Sequence, residues 1–248
     1  MAKTHPLKKI KKVKSGRDSR GHISVRHRGG EHKRFLRNID WRRKHKDIKA
    51  KVLAIEYDPG RTANIALICY ANGIKSYILA STKLKVGDTV INSDSAPIED
   101  GNCLPLKNIP VGIPIHALEF SPGRGAQIAK TAGGAVYVQS IDGDKAVVKL
   151  PSGEIRTFNS NCSATIGQVG NAAHFNIKLK KAGDRRRRGF RPTVRGVAQH
   201  PDSHPHGGGE GRSSIGMHPK TPWGKPAMGK ITRNRKKASN KLIVQRRK

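Results

Sequence analysis

Lys51-Val-Leu-Ala-Ile-Glu-Tyr57, Asp58-Pro59-Gly60, Asn64-Ile-Ala-Leu-Ile-Cys-Tyr70, Asn72-Gly73 and Ile74-Lys-Ser-Tyr-Ile-Leu79 follow one another almost without interruption, and their reading decides the fold class. The apolar runs are too short for helices, are rich in β-branched and aromatic residues, and are bounded by turn residues, which is the pattern of short strands. Asn72-Gly73 between two such runs predicts a tight hairpin, with φ > 0 at both turn residues if the turn is of the primed type. Lys83-Leu-Lys-Val-Gly-Asp-Thr-Val-Ile91 predicts another short strand. Several short strands with no helix-length pattern between them imply a small closed barrel of the OB type.

Working outward, Leu104-Pro105 to Pro110 reads as a Pro-rich joint, after which a second set of strands begins. Ile115 to Phe120, Ala135 to Ile141, Ala146 to Leu150 and Glu154 to Phe158 are separated by Asp142-Gly143 and Ser152-Gly153 turns, and predict a second small barrel. Upstream, Phe35, Ile39 and Trp41 announce the first core strand. The fold class expected is mainly β. Two small consecutive barrels occupy residues 35–98 and 99–175, flanked by long basic extensions of irregular structure over residues 1–34 and 176–248.

Charge divides the chain the same way. The 248 residues carry a formal net charge of +33 and are only 35% hydrophobic and 4% aromatic, so part of the chain cannot bury a core. Residues 1–49 hold 18 Lys and Arg against 4 Asp and Glu, residues 50–175 hold 11 against 10, and residues 176–248 hold 21 against 3. A nearly neutral middle folds as a globule, whereas flanks of this charge repel themselves until a polyanion compensates them. The basic runs are interleaved with Gly, Ser, Asn and Pro and lack the apolar face of a membrane-surface helix, so nucleic acid is the expected partner and a membrane is not. No apolar run approaches the ~20 residues of a membrane span, and no secretory signal opens the chain. Cys69, Cys103 and Cys162 form no C-x-x-C and read as reduced core thiols.

The most chemically distinctive stretch is Arg195-Gly-Val-Ala-Gln-His200-Pro-Asp-Ser-His204-Pro-His206-Gly207-Gly208-Gly209-Glu-Gly211-Arg212. Its glycines admit close approach of another backbone, its prolines stiffen what the glycines loosen, its arginines suit phosphate oxygens, and its imidazoles can stack or hydrogen-bond. The spacing matches neither G-x-G-x-x-G nor G-x-x-x-x-G-K-[ST]. His200, His204, His206 and His218 could be weighed as metal ligands, but no Cys lies nearby and only Asp202 and Glu210 supply local carboxylates, so no metal and no cofactor are expected. A plain flexible linker is the bland alternative, and His-Pro-His between fixed arginines argues against it.

The same Gly-plus-Arg chemistry recurs elsewhere. Candidate RNA contacts are Arg17, Arg26, Arg28, Gly29, Gly30 and Lys33 in the N-terminal arm, Arg42 and Arg43 beside the first strand, and Arg124 in the Ser121-Pro-Gly-Arg-Gly125 loop. In the C-terminal extension they are Arg185, Arg186, Arg187, Arg188, Arg191, Arg195, His200, His204, His206, Gly207, Gly208, Gly209, Arg212, Lys220, Trp223, Arg233 and Arg235. Phe190 and Trp223 are the only aromatic anchors there. Thr221-Pro-Trp223-Gly is expected to pin one turn, and the close from Arg233 through Lys248 to read as a basic tail that orders on binding.

Taken together, Arg191-Pro-Thr-Val-Arg195-Gly, His204-Pro-His206-Gly-Gly-Gly-Glu-Gly211-Arg212, His218-Pro and Thr221-Pro-Trp223-Gly resemble the bacterial form of large-subunit ribosomal protein L-two. So do Arg28-Gly29-Gly30, Glu56 to Pro59, Ala63 to Leu67, Asn108 to Gly112 and Gly167 to Asn171. The resemblance spans nearly the whole chain, although typical bacterial members begin with a longer N-terminal segment. It implies an OB-like barrel followed by an SH3-like one, and extensions that penetrate ribosomal RNA. It further implies a primary binder of large-subunit rRNA near the peptidyl transferase region and subunit interface, supporting subunit association, tRNA binding and peptide-bond formation. Other ribosomal proteins, tRNA and small-subunit rRNA would be its partners in the assembled ribosome. The location implied is the cytoplasmic ribosome of a bacterium, with an organellar ribosome as second choice.

Two rival classes stand beside this one. A transferase using His204 with Asp202 or Ser213 would need a fixed partner and a water-excluding pocket, which a Gly-Gly-Gly loop without apolar surroundings does not supply by itself; the disputed catalytic candidate His204 is therefore expected not to be catalytic, and the protein not to be an enzyme. A free RNA chaperone is the other, separable by its failure to sediment with large subunits in high salt.

Overall fold

The computed structural model describes residues 7–247; residues 1–6 and Lys248, which the sequence assigns to the basic arms, lie outside the described residues. The chain divides into two compact units. One holds Lys33–Lys178 with the described parts of Met1–Lys11 and Ser239–Lys248, and the other joins Lys12–His32 to Leu179–Ala238.

The first unit opens with a two-stranded ribbon, β1 (Lys8–Ile10) against β2 (Phe35–Arg37). The strand expected from Phe35 to Trp41 is thus short, and Phe35 and Leu36 are exposed on it. Next come β3 (Ala50–Glu56), β4 (Ile65–Tyr70), β5 (Lys75–Leu79) and β6 (Thr89–Val90), in an antiparallel sheet of order β5-β4-β3-β6. A bulge between Val52 and Ala54 bends β3, the device by which a short sheet curls. Ala50, Val52, Ile68, Tyr70, Ile78 and Val90 share the concave core. On the other side Ile39, Ile65, Tyr77, Leu79 and Val169 form a second cluster, so this sheet is apolar on both faces.

Local chemistry explains its turns. At the hairpin, Gly73 N–H donates to Tyr70 O (2.9 Å) and Ile74 N–H to Asn72 Oδ1 (3.1 Å). Gly73 alone is left-handed, at φ 81°. The loop therefore has three residues, Ala71 to Gly73, and is not the two-residue primed turn expected; the Tyr70–Gly73 turn is completed by glycine in the left-handed region. The Asp58-Pro59-Gly60 turn is held by the buried Asp58 carboxylate, which accepts from Gly60 N–H (2.9 Å) and Arg61 Nε (2.6 Å). Only Thr89–Val90 of the strand expected over Lys83–Ile91 pairs, because the polar half supplies the turn in which Lys85 N–H reaches Asp88 Oδ2 (2.7 Å).

The rest of this unit is built from β7 (Cys103–Pro105), β8 (Pro114–His116), β9 (Leu118–Glu119), β10 (Ala126–Ile128), β11 (Val136–Asp142), β12 (Lys145–Lys149), β13 (Ile155–Asn159), β14 (Ser163–Ile166) and β15 (Ile243–Gln245). Strands β9 and β10 pair with each other, and the others form a seven-stranded sheet of order β15-β13-β12-β11-β8-β14-β7. Leu104, Leu106, Ile109, Ile115, Leu118, Val136, Val148 and Phe158 fill its core. The stretch read as a Pro-rich joint is part of this core: Leu104, Leu106 and Ile109 are buried, and β7 pairs with β14. Near the chain end, Ile243 and Gln245 pair with Arg156 and Ile155, so that part of the basic tail is a strand of the sheet.

Two buried polar groups tie the unit together. Arg43 Nη2 donates to Gly101 O at 2.8 Å. The buried His116 lies 2.8 Å from Gly167 O through Nδ1, and burial pushes its pKa down to about 4, against the opposing pull of that hydrogen bond.

Candidate nucleic-acid interface

The second unit has no apolar core. Its buried residues are Gly29, Gly189 and His204, and its order comes from turns and backbone hydrogen bonds. The two extensions, read in the sequence as separate arms, are one structure here. Gly29 N–H donates to Gly189 O (3.1 Å), His32 N–H to Arg187 O (3.1 Å) and Arg191 N–H to His27 O (3.0 Å). Their meeting point is α1 (Ala182–Arg187), a short helix the sequence reading left out because a run of arginines carries no apolar period. Asp184 supports its start by accepting from Lys181 N–H (3.3 Å), and Arg185, Arg186 and Arg187 crowd its last turn, where cations meet the negative end of the helix. The turn then closes on Gly189 at φ 95°, where a Cβ would sit 3.1 Å from Glu31 Cβ.

Guanidinium groups cover aromatic rings on this surface. Arg28 lies 4.3 Å and Arg185 5.8 Å from the Phe190 centroid, and Arg26 lies 5.4 Å from that of Trp223. Trp223 is 74% exposed, so it does not pin its turn by burial; the turn is closed by Gly224 N–H on Thr221 O (2.9 Å) and the indole is left as an open face. An exposed ring with a guanidinium on one side is a platform on which a base can stack. Phe190 was legible only as an isolated aromatic among arginines, and in the structure two of those arginines lie over its ring.

The histidine loop is folded on itself. His204 is buried, and its Nδ1 accepts from His206 N–H (3.0 Å). His206 Nε2 accepts from Lys220 N–H (2.9 Å), and the two rings lie 4.9 Å apart. His200 sits in the open, 3.1 Å from an Asp202 carboxylate oxygen. The imidazoles thus serve first as acceptors for the loop's own backbone. The glycines are explained by the same packing: a Cβ on Gly207 would meet Gln199 O at 2.5 Å and His200 O at 2.6 Å, and one on Gly208 would meet Pro201 Cγ at 2.9 Å. Close approach to RNA, the reason inferred from sequence, is not needed to account for them. What the loop displays outward is Arg195, His200, Arg212 and Lys220, all exposed.

The remaining sites divide by unit. Arg17, Arg26, Arg28, Gly30, Arg185 to Arg188, Arg191, Gly209, Trp223, Arg233 and Arg235 are exposed on the second unit, with Gly29 buried beneath and His206 and Gly207 half-buried. Lys33, Arg42 and Arg124 are exposed on the first. Arg42 packs against the Ser121–Gly125 loop that carries Arg124, where a Cβ on Gly125 would meet Arg42 Cγ at 3.1 Å. That loop is held by the buried Glu119 carboxylate, which accepts from Gly123 N–H (3.1 Å) and Gly125 N–H (2.8 Å). A lone glutamate in a short strand gave no warning of this. Arg43 differs from the others: it is buried with its guanidinium on Gly101 O and serves the interior, not an open face.

Comparison with known proteins now decides the family. Residues 4–92 match "Ribosomal Proteins L2, RNA binding N-terminal domain" and residues 99–224 match "Ribosomal Proteins L2, C-terminal domain". This chain belongs to the ribosomal protein L2 family. Among relatives, it is similar to the "Large ribosomal subunit protein uL2" of Laribacter hongkongensis (strain HLHK9), 53% identical over 242 residues that cover 98% of this chain and 88% of that one. The L2 matches run through both barrels and through the histidine loop to Gly224, so the open arginine surface and the folded core lie in family-specific sequence.

Proposed function

We propose that this L2-family protein is a structural, non-enzymatic constituent of the large ribosomal subunit that binds large-subunit rRNA through its second unit. One observation carries the reading: a unit without an apolar core is ordered by backbone hydrogen bonds and turns and displays Arg26, Arg28, Arg185, Arg186, Arg188 and Arg191 outward around the Phe190 ring and the open face of Trp223. Such a surface offers guanidinium groups to phosphates and aromatic rings to bases. On the first unit, Lys33, Arg42 and Arg124 extend the contact.

The finer placement rests on the resemblance of residues 191–224 to the family. It supports a place for the protein near the peptidyl transferase region and the subunit interface, with a role in subunit association, tRNA binding and peptide-bond formation and with other ribosomal proteins, tRNA and small-subunit rRNA as neighbours. His204 acts by holding the histidine loop. Its Nδ1 is occupied by the His206 amide and the ring is buried, which suits positioning and not proton transfer. The family relationship supports a place on the cytoplasmic ribosome of a bacterium. The test is reconstitution: large-subunit particles assembled without the protein should lack subunit association and tRNA binding, and adding it back should restore both. Restoration by a variant with the six named arginines changed to Gln would overturn the reading.

A further inference from the structure

The hairpin that joins β9 to β10 is closed by Glu119 opposite Ala126, and its loop runs Phe120-Ser-Pro-Gly-Arg-Gly125. Gly123 and Gly125, at φ 73° and 86°, let the chain turn back towards the end of β9. Glu119 is 4% exposed, and its carboxylate serves this loop. Oε1 accepts from Gly125 N–H (2.8 Å), and Oε2 accepts from Gly123 N–H and from Ser163 N–H of β14 (both 3.1 Å). Two further amides are also used: Arg124 N–H donates to Ser121 O (3.2 Å) and Ala126 N–H to Trp41 O (2.8 Å). Gly125 is buried, whereas Arg124 is exposed, and no hydrogen bond or ion pair among the described residues occupies its guanidinium.

Amides of a Gly-rich turn that converge on one negative group form the concavity in which such turns hold phosphate. Here that concavity is filled from within. Hydrogen bonds from backbone N–H groups to an ionised carboxylate are among the strong ones, and a phosphate entering the loop would have to displace them. Glu119 would then be a buried charge without partners, a strongly unfavourable state. The amides are thus closed to rRNA, and what the loop presents is the side chain of Arg124.

We propose that Glu119 is a positioning residue for rRNA binding: its carboxylate takes the place that a phosphate would take in the loop, and so fixes Arg124 to meet the rRNA backbone through its guanidinium. The inference rests on the rRNA-binding reading and deepens it on the first unit. Its sign is unusual. By charge alone a glutamate opposes a polyanion, and its removal should strengthen binding. As the internal anion of this loop its removal should weaken binding, because the loop that carries Arg124 is released.

The test uses the full-length protein and a large-subunit rRNA transcript, with affinity measured over a series of salt concentrations. Arg124→Gln should make the log-log slope shallower by about 0.7 to 0.9, the contribution of one phosphate. Glu119→Gln, which offers one acceptor oxygen to three N–H groups, should weaken binding with the same change of slope, and the double variant should lose no more than either single one. Gly125→Ala displaces the loop with Glu119 in place, since its Cβ would meet Arg42 Cγ at 3.1 Å and Trp41 O at 3.2 Å from a left-handed backbone. It too should make Arg124→Gln silent, and it covers the case in which Glu119→Gln does not fold. An unchanged slope with Arg124→Gln would overturn the proposal. So would unchanged or tighter binding by Glu119→Gln, or separate, additive losses when Arg124→Gln is combined with Glu119→Gln or Gly125→Ala. A transcript that does not bind the wild-type protein would instead refute the rRNA-binding reading, and this inference with it.

Discussion

Gly196→Ala tests whether the histidine loop is built from within. Gly196 is outside the left-handed region, so alanine meets no backbone strain there. Its Cβ would, however, lie 2.5 Å from both Cε1 and Nδ1 of His204 and 2.7 Å from Nε2. The ring must withdraw by about 1 Å to reach ordinary contact, and its hydrogen bond from His206 N–H, 3.0 Å long, is lost with the movement. Overpacking costs about 1–3 kcal/mol and a neutral hydrogen bond about 0.5–1.5, while alanine returns about 0.4–1 through the unfolded chain. The net is about 2 kcal/mol against the ordered loop. If the loop must be ordered to bind, rRNA affinity falls about 30-fold. Filter binding at fixed salt measures the affinity, and hydrogen exchange measures protection of the His206 amide, which should drop. Thermal unfolding of the barrels should not change. Affinity within twofold of wild type, with the His206 amide still protected, would show that the His204–Gly196 packing does not organise the loop.

Three further outcomes follow from the same structure. Arg43→Met should destabilise the first unit by about 1–3 kcal/mol, since Gly101 O loses its buried donor, while the salt slope of rRNA binding stays at the wild-type value; a changed slope with unchanged stability would return Arg43 to the interface. His116, held down at about 4 by burial, stays neutral in the folded protein at pH values where the unfolded chain, near 6.5, has taken up a proton. Stability from this group is complete above about pH 6.5 and is lost as pH falls towards 4, up to about 3 kcal/mol; urea unfolding at pH 7 and 4.5 should show a smaller pH effect in His116→Gln, and an equal effect would contradict the assignment. Fully assembled ribosomes carrying His204→Gln should keep single-turnover peptidyl transfer within about tenfold of wild type, or about 1.4 kcal/mol in barrier, whereas a loss beyond a hundredfold with intact tRNA binding would make His204 an acid or base.

How far the sequence can be read depends on which forces set each part. The strands β3, β4, β5, β11, β12 and β13 were legible because apolar runs bounded by turn residues encode them locally. Strands β7, β14 and β15 were not, because each is short and its pairing partner is distant in sequence: β7 pairs with β14, and Ile243 with Arg156. Asn72-Gly73 announced a hairpin correctly, but the loop length was set by the register of Cys69 with Lys75, which no dipeptide specifies. The candidate site was visible as chemistry, in its Arg, Gly and His, and not as geometry. Nothing in the residues alone joins Arg28 to Phe190 or turns His206 towards the Lys220 amide, since those contacts depend on two distant segments meeting. Buried exceptions such as Arg43, Glu119 and Arg156 were hidden for a related reason. A charged residue in sequence reads as surface, and only the three-dimensional partner shows otherwise.

The central claim is that the coreless unit holds the rRNA through its arginines, and the salt dependence of binding tests it most directly. Each neutralised phosphate contributes about −0.7 to −0.9 to the log-log slope of affinity against salt. Full-length protein with Arg26, Arg28, Arg185, Arg186, Arg188 and Arg191 changed to Gln should therefore show a slope shallower by about 4 to 5. A control with Lys51, Lys83, Lys85, Lys107, Lys145 and Lys149 of the first unit changed to Gln should shift it by less than about 1. Equal shifts in the two variants, or a larger shift in the lysine control, would contradict the account.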